Sequence, residues 1–438
     1  MKNSPTRVVA RTARKVPVVG KYVKSHQNLK RTALEQKNEI TGLREAVDRL
    51  EKRNEVWADE VRELRGENQA MHIIWPVKKS DLIAADWRKP TTNKPGKNAK
   101  APFTINWVVP SPGRGSGGHT DIFRTIHYLE SKGHTCRVYF YDALESLSFE
   151  TIKENLKSFP TLKAELFYNA AKMEDCDAIF ATNWFTAYPV YNFKGTGKKY
   201  YYVQDFEPFF EAVGTYYTLA ESTYRFGFRG LTLGRWLTDK LSREYNMTCD
   251  YFELGTEQDI YKYTNKKPRK KILFYARPVT PRRGFELGVL ALELFHKQHP
   301  EYEIHFLGWD TSRYDIPFPY VNHGIMSVEE LNELYNECVA GLVISFTNMS
   351  LTPLEMLATG CIPIVNNAEH TRAVGYAEKL KYAAPTPTAL AEALYEVVTA
   401  KDAKAQAASA AEYTQKFQWD ASNAKIEQIL LDELSASS

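Results

Sequence analysis

The chain has 438 residues, 43% of them apolar and 25% charged, with a formal net charge of +4. That length is long for one core and suits two domains plus an extension; the charge is too small to imply a nucleic-acid partner. No uninterrupted apolar stretch approaches the ~18 residues of a membrane span, and the first apolar clusters, Val8-Val9-Ala10 and Val16 to Val19, are too broken by charge and proline for a signal peptide. Five cysteines (Cys136, Cys176, Cys249, Cys338, Cys361) without a CxxC pair read as reduced core thiols of a cytosolic-type compartment, with no disulfide or zinc framework.

Residues 1–34 form a basic tail with nine Lys or Arg and no acid before Glu35. Two readings stand: a solvated tail, or attachment to an anionic membrane surface with Val8, Val16, Val19 and Tyr22 as apolar contacts. Residues 35–74 carry a heptad, Ile40, Leu43, Val47, Leu50, Asn54, Trp57, Val61, Leu64, Asn68 and Met71. Spacing of 3 and 4 throughout predicts a coiled coil and hence a homo-oligomer, a parallel dimer or a trimer, with Asn54 and Asn68 setting its register. The alternative is one long helix lying on the globular part. Residues 75–101 are rich in Pro, Lys, Asn and Thr and read as a linker, with one helical turn between Asp81 and Trp87.

From 102 to 255 strands alternate with helices, the pattern of a parallel doubly wound sheet. Strands are predicted at Phe103–Val109, Cys136–Phe140, Ala178–Ala181, Lys199–Gln204, Gly230–Leu233 and Tyr251–Leu254, with helices at Thr120–Lys132 and Arg235–Tyr245. Gly113 to Gly118 formally matches the dinucleotide fingerprint GxGxxG, and Asp142 lies 24 residues beyond Gly118, so an NAD-dependent oxidoreductase has to be weighed. Pro110 and Pro112 argue against the tight turn that fingerprint needs. Asp175-Cys176-Asp177 imitates a DxD metal motif but precedes its strand instead of following it, and reads as a polar entry. Gln204-Asp205-Phe206-Glu207-Pro208 ends a tyrosine-rich strand. Asp205 and Glu207 therefore sit at the carboxyl edge of the sheet, as acids facing a ligand or as turn and capping groups.

A second doubly wound domain, 256–410, begins after a hinge with a strand at Ile272–Ala276, a helix at Gly284–Gln298, and strands at Glu303–Leu307, Val321–Asn322, Leu342–Phe346 and Ile362–Val365. Helices at Pro387–Thr399 and about Ala403–Leu434 close the chain, residues 411–438 as a helix returning to the first domain. The stretch Phe346 to Val365, FTNMSLTPLEMLATGCIPIV, is the most telling. A strand, a loop of small and polar residues and a helix opened at Pro353 would present free backbone N–H groups at a sheet edge, where phosphate binds. Glu355, one turn in, would reach a ribose hydroxyl. Thr352 to Glu355 equally fits a capping box.

With its surroundings, this segment resembles the donor-binding signature of family 4 glycosyltransferases of the two-domain GT-B fold, and its wording and VQDFEP are most similar to bacterial rhamnosyltransferases of surface-glycan assembly. The resemblance covers roughly residues 102 to 430. It implies two Rossmann-like domains facing a cleft, the first for the acceptor and the second for a nucleotide-sugar donor, and transfer with retention of configuration to a glycan or glycoconjugate hydroxyl. It implies that Glu355 holds the ribose, that Arg277, Arg283 and the amides near Ser350, Leu351 and Thr352 hold the diphosphate, and that Gly117 and Gly118 let backbone approach it. His119, Asp205 and Glu207 then face the sugar and acceptor as catalytic candidates, dTDP-L-rhamnose is the first guess for donor, and neither metal nor cofactor is required. The sequence departs from the family at Thr347, where a second glutamate is usual, and at Arg283, where Lys is usual; Arg282 and Arg283 compete for that role. The base pocket is expected near His323 to Met326.

The reading is therefore a cytoplasmic hexosyltransferase, peripheral to the inner membrane face if the tail binds lipid. Its rivals are an oxidoreductase and a noncatalytic coiled-coil scaffold. Membrane attachment predicts that the full chain co-sediments with anionic vesicles at low salt and is released as salt rises; indifference to such vesicles would remove it.

Overall fold

The computed structural model describes residues 74–89, 91, 100–113, 116–168 and 170–435. The basic tail and the heptad lie outside them. Strands β1 (Thr104–Pro110), β2 (Thr135–Tyr141), β3 (Glu165–Tyr168), β4 (Ala178–Ala181), β5 (Lys198–Val203), β6 (Arg229–Leu233) and β7 (Cys249–Phe252) form one sheet in the order β3-β2-β1-β4-β5-β6-β7. Strands β8 (Lys271–Tyr275), β9 (Glu303–Leu307), β10 (Val321–Asn322), β11 (Cys338–Leu342), β12 (Ile362–Asn366) and β13 (Lys381–Ala383) form the other, β10-β9-β8-β11-β12-β13. All pairings are parallel. In each sheet the order reverses beside its first strand, between β1 and β4 and between β8 and β11. Open α/β sheets bind ligands at such switch points, outside the carboxyl ends of the strands.

The central strands are apolar because both of their faces are covered. In the first sheet Trp107, Phe180 and Tyr200 are register partners on β1, β4 and β5 and stack at 4.2 and 4.9 Å between ring centroids. Such pairs contribute about 0.5–1.5 kcal/mol each beyond the area they bury. In the second sheet Gly288 lets the helix Phe285–Gln298 lie against the Phe274 ring, where any Cβ would overlap it.

Several elements differ from expectation. The apolar run after residue 340 is strand only as far as Leu342; beyond it the chain stays extended and buried, but Ser345 N–H donates to the Asn366 side chain at 2.8 Å instead of a neighbouring strand. The short edge strands β3 and β13 were not foreseen. The segment 75–101 is not a free linker through its first part. Val77 is fully buried in the first core, Tyr141 Oη donates to Asp81 at 2.8 Å, and Tyr191 Oη donates to the Asp86 carbonyl at 2.6 Å. Its helix is Lys79–Ala84.

The closing helix is two, Ala403–Thr414 and Trp419–Ser435. Between them Phe417 O accepts from Thr256 N–H at 3.0 Å, and Thr256 and Gln418 form a parallel bridge. The last helix buries Ile426, Leu430 and Leu434 in the core of the first sheet. Two chain segments therefore cross side by side between the sheets. Among the described residues no helix is long and apolar enough to cross a membrane.

Gly255 sits at that double crossing, where a Cβ would overlap the backbone of Trp419 and Gln418. Backbone cannot yield as a flexible side chain can. Gly255→Ala is expected to lower stability by about 2 kcal/mol, read as a fall in the urea midpoint at unchanged slope.

Candidate active site

The loop that leaves β11 runs through residues 343–351 and enters the helix Thr352–Ala358 with Pro353 in its first turn. No side chain caps this helix, so the capping-box reading of Thr352 and Glu355 fails. Glu355 turns sideways instead: Tyr335 Oη donates to it at 3.4 Å, and the buried Tyr261 phenol lies beside it. Burial raises its carboxyl to about 7, against the opposing field of Arg124. Arg124 belongs to the helix Gly117–Ser131 of the first domain. It pairs with Glu257 of the hinge and lies 4.7 Å from the centre of the Trp419 ring. Neither Arg124 nor Glu257 was singled out by sequence, because each becomes relevant only through the facing domain.

Among the described residues, the buried polar atoms at this edge without a hydrogen-bond partner include Arg277 Nε after β8, Arg282 Nε in the following turn, and Ser350 Oγ in the loop. All three are donors. Arg282 Nε has only a long approach, 3.9 Å, to Asp205 Oδ2. Arg283, in contrast, is engaged: its guanidinium donates to Ser345 Oγ at 2.6 Å and to the Asn348 carbonyl at 3.2 Å. The geometry thus gives the two arginines different work, Arg283 holding the loop and Arg282 facing Asp205. Residues 351 and 352 precede the helix's own ladder, whose first bonds come from Leu354 and Glu355 N–H to the Leu351 carbonyl.

Asp205 closes the two halves. It follows β5 in the first domain, and its Oδ1 accepts from Phe206 N–H at 2.8 Å and from Asn348 N–H at 2.9 Å. Its Oδ2 accepts from Thr347 Oγ1 at 2.8 Å. The Asn348 amide donates back to the carbonyls of Gln204 at 2.9 Å and Leu233 at 2.8 Å. Gln204 in turn donates to the Gly118 carbonyl at 3.1 Å. The glycine-rich helix start, the end of β5 and the loop after β11 are one hydrogen-bonded unit.

Gly117 and Gly118 lie exposed in the first turn of the helix Gly117–Ser131, which starts earlier than expected. His119 is beside them but not free. Its Nε2 faces the Pro110 carbonyl at 3.1 Å and so carries the proton, leaving Nδ1 to accept from Ser116 Oγ at 2.7 Å. Burial lowers its pKa, favouring this neutral form. His119 thus pins the glycine-bearing turn to the end of β1 and does not offer a nitrogen to the cleft.

Glu207 requires a correction. It is 3% exposed, accepts from Trp184 N–H at the start of the helix Trp184–Asn192, and receives Tyr201 Oη at 3.3 Å. The short helical turn Glu207–Phe210 turns it into the first core, so it is not a group that meets substrate. Burial raises it to about 8. Elsewhere, Asp177 and Asp175 accept backbone N–H from Thr104 and Thr196, which makes them the polar strand entry expected. Asp142 does stand just past β2, but its carboxylate closes a turn onto Leu144 and Ser146. His323 pairs with His305 at 2.8 Å.

A family described as "WsaF, C-terminal domain" matches residues 270–395. An O-antigen biosynthesis protein, RfbC of Myxococcus xanthus, is 33% identical over 262 residues, 58% of this chain. The chain spans only 20% of that relative's length. Among solved structures, sucrose-phosphate synthase from Thermosynechococcus elongatus superposes with a TM-score of 0.58 at 13% identity, covering 76% of this chain and 100% of that one. Anabaena HepE in complex with UDP and glucose gives 0.58 at 13% identity over 75% and 99%. These likenesses and the two facing parallel sheets show that the chain has the GT-B fold.

Glu207 gives a pH prediction. Its folded pKa of about 8 lies above the ordinary 4.5, so the folded state binds the extra proton between those values. Its contribution to stability is whole below about 4.5 and is lost as pH rises toward 8. Glu207→Gln keeps an acceptor for Trp184 N–H without the ionisation. Urea midpoints measured from pH 5 to pH 9 are expected to fall less steeply for the variant than for wild type, with the similarly raised Glu355 and Asp121 supplying the remaining slope.

Proposed function

We propose that the chain is a glycosyltransferase that moves a sugar from a nucleoside-diphosphate donor to a glycan hydroxyl during assembly of an O-antigen-type surface polysaccharide. The observation that carries this is the set of orphaned donors at the carboxyl edge of the second sheet, Arg277 Nε, Arg282 Nε and Ser350 Oγ. Buried donors normally have acceptors, and a diphosphate supplies several anionic oxygens to this edge. The likeness to RfbC, an O-antigen biosynthesis protein, and to HepE, solved with UDP and glucose, supports the same reading.

In this reading Glu355 accepts from the nucleotide ribose, and Arg277, Arg282 and the amides near Ser350, Leu351 and Thr352 take the diphosphate. Arginines there stabilise the charge that grows on the leaving group. Arg283 keeps the loop in shape from below. Thr347 stands where the resembled family has a glutamate, and its hydroxyl holds the Asp205 carboxylate at 2.8 Å. We read Asp205 as the replacement acid, delivered from the first domain instead of the second. Its oxygens are engaged by Thr347, Asn348 and Phe206, which gives it a positioning role and leaves the acceptor's proton to the departing diphosphate, consistent with same-face attack and retention. Family 4 membership, L-rhamnose as the sugar, independence of metal and cofactor, a cytoplasmic site of action and an oligomer built on residues 35–74 complete the proposal.

A thermal-shift panel of dTDP, UDP, GDP, ADP and NAD on wild type and Glu355→Ala tests it. One nucleoside diphosphate is expected to stabilise wild type, by about 2.7 kcal/mol at a hundredfold excess over its Kd. Glu355→Ala is expected to bind that ligand at least ~10-fold more weakly, about 1.4 kcal/mol. A response to NAD alone would replace the transferase with an oxidoreductase, and no response at all would leave a scaffold.

A further inference from the structure

The chain that leaves Asp205 does not return at once to the core. It forms the short turn Glu207–Phe210 and then the helix Thr215–Ser222. Its inner side is well packed: Phe206 is buried and meets Phe209 edge-on at 4.7 Å, and buried Trp184 lies 6.5 Å from Tyr216. Its outer side is apolar and in water. Phe209 is 43% exposed, Phe210 36%, Val213 91% and Tyr216 36%. Scattered exposed apolar residues need no explanation, but four within eight positions of one turn do.

This lip is continuous with the candidate site. The Arg282 guanidinium lies 3.9 Å from the centre of the Phe210 ring, and the same Arg282 faces Asp205. One end of the lip is therefore at the diphosphate edge and the other extends away over the first domain. We propose that Phe209, Phe210 and Tyr216 are a binding site for a pyranose ring of the acceptor glycan, an inference that rests on the transferase reading. A pyranose has a hydroxyl rim and C–H faces. The C–H faces lie against aromatic rings, while the Gln204 amide at the inner end matches the rim. Ligand sites of this composition, mainly aromatic with few polar groups, are the common kind. The segment's charge favours a neutral glycan over an anionic bilayer. Residues 205–222 contain no Lys or Arg, and the cations beside them, Arg282 and Lys240, lie against the lip's own rings, so the segment lacks the basic cluster that an acidic lipid surface attracts.

The test is saturation-transfer NMR on the full chain with methyl glycosides of L-rhamnose, mannose, glucose and galactose, with and without the nucleotide identified by thermal shift. At least one glycoside is expected to receive saturation, strongest at ring C–H protons. Phe209→Ala and Tyr216→Ala are expected to reduce it at least fivefold, whereas Ile83→Ala, an exposed apolar residue elsewhere, leaves it intact. Neither lip variant touches Arg282, so both are expected to keep the wild-type nucleotide shift, which also reports that they are folded. Absence of saturation in wild type, or saturation unchanged in both variants, overturns the proposal. Binding of wild type but not Phe209→Ala to phosphatidylcholine vesicles would overturn it too, by making the lip a membrane contact. A glycoside response without any nucleotide response would instead defeat the transferase reading and leave a carbohydrate-binding lip.

Discussion

One asparagine side chain joins what two sheets bring from opposite sides. Asn348 belongs to the loop after β11, yet its amide donates to carbonyls at the ends of β5 and β6, and its backbone N–H goes to Asp205. An amide bond to a neutral acceptor contributes about 1 kcal/mol net, and one to a carboxylate about 1.5–3. More important is what the loop would be without them. Its buried N–H groups would lack partners, and the amides before Thr352 would have no defined direction. Asn348 also accepts from Arg283 and Ser345. The loop after β11 is thus shaped by the first domain as much as by the sheet that carries it.

The alternation of strands and helices was legible because buried parallel strands are continuous apolar runs and need no partner to be seen. The boundaries of β4 and β9 fell where the runs did. The strands β3 and β13 were missed for the converse reason: they are short edges with mostly half-exposed residues, and carry no such run. The overlong final helix was misread because nothing local marks the crossing. Phe417 and Gln418 are pulled out of the helix by Thr256, far earlier in the chain.

The side chains at the two sheet edges were legible in the sequence; their partners were not. Asp205 and Glu207 lie in one motif two positions apart, and spacing alone made them equivalent acids. The short turn after Phe206 separates them, one to the domain interface and one into the core. The resemblance has His119 facing substrate, but its partners are the Pro110 carbonyl at the end of β1 and the Ser116 hydroxyl of its own turn. Asn348 was noted only as a departure from a glycine-rich pattern, since its partners lie more than a hundred residues away. Local sequence shows which side chains are present at a sheet edge; the facing domain decides which of them remain available.

The side-by-side crossing at Thr256 and Phe417 has a mechanical consequence. Two bodies joined by a single covalent thread can swing, twist and tilt. Two adjacent threads, hydrogen-bonded to each other, behave like a pair of hinge pins. Rotation about the line through both leaves the Thr256 to Phe417 bond intact, while rotation about either perpendicular line would pull the threads apart. A swing about that line is the one that would part Asp205 from the Asn348 loop without breaking the crossing itself.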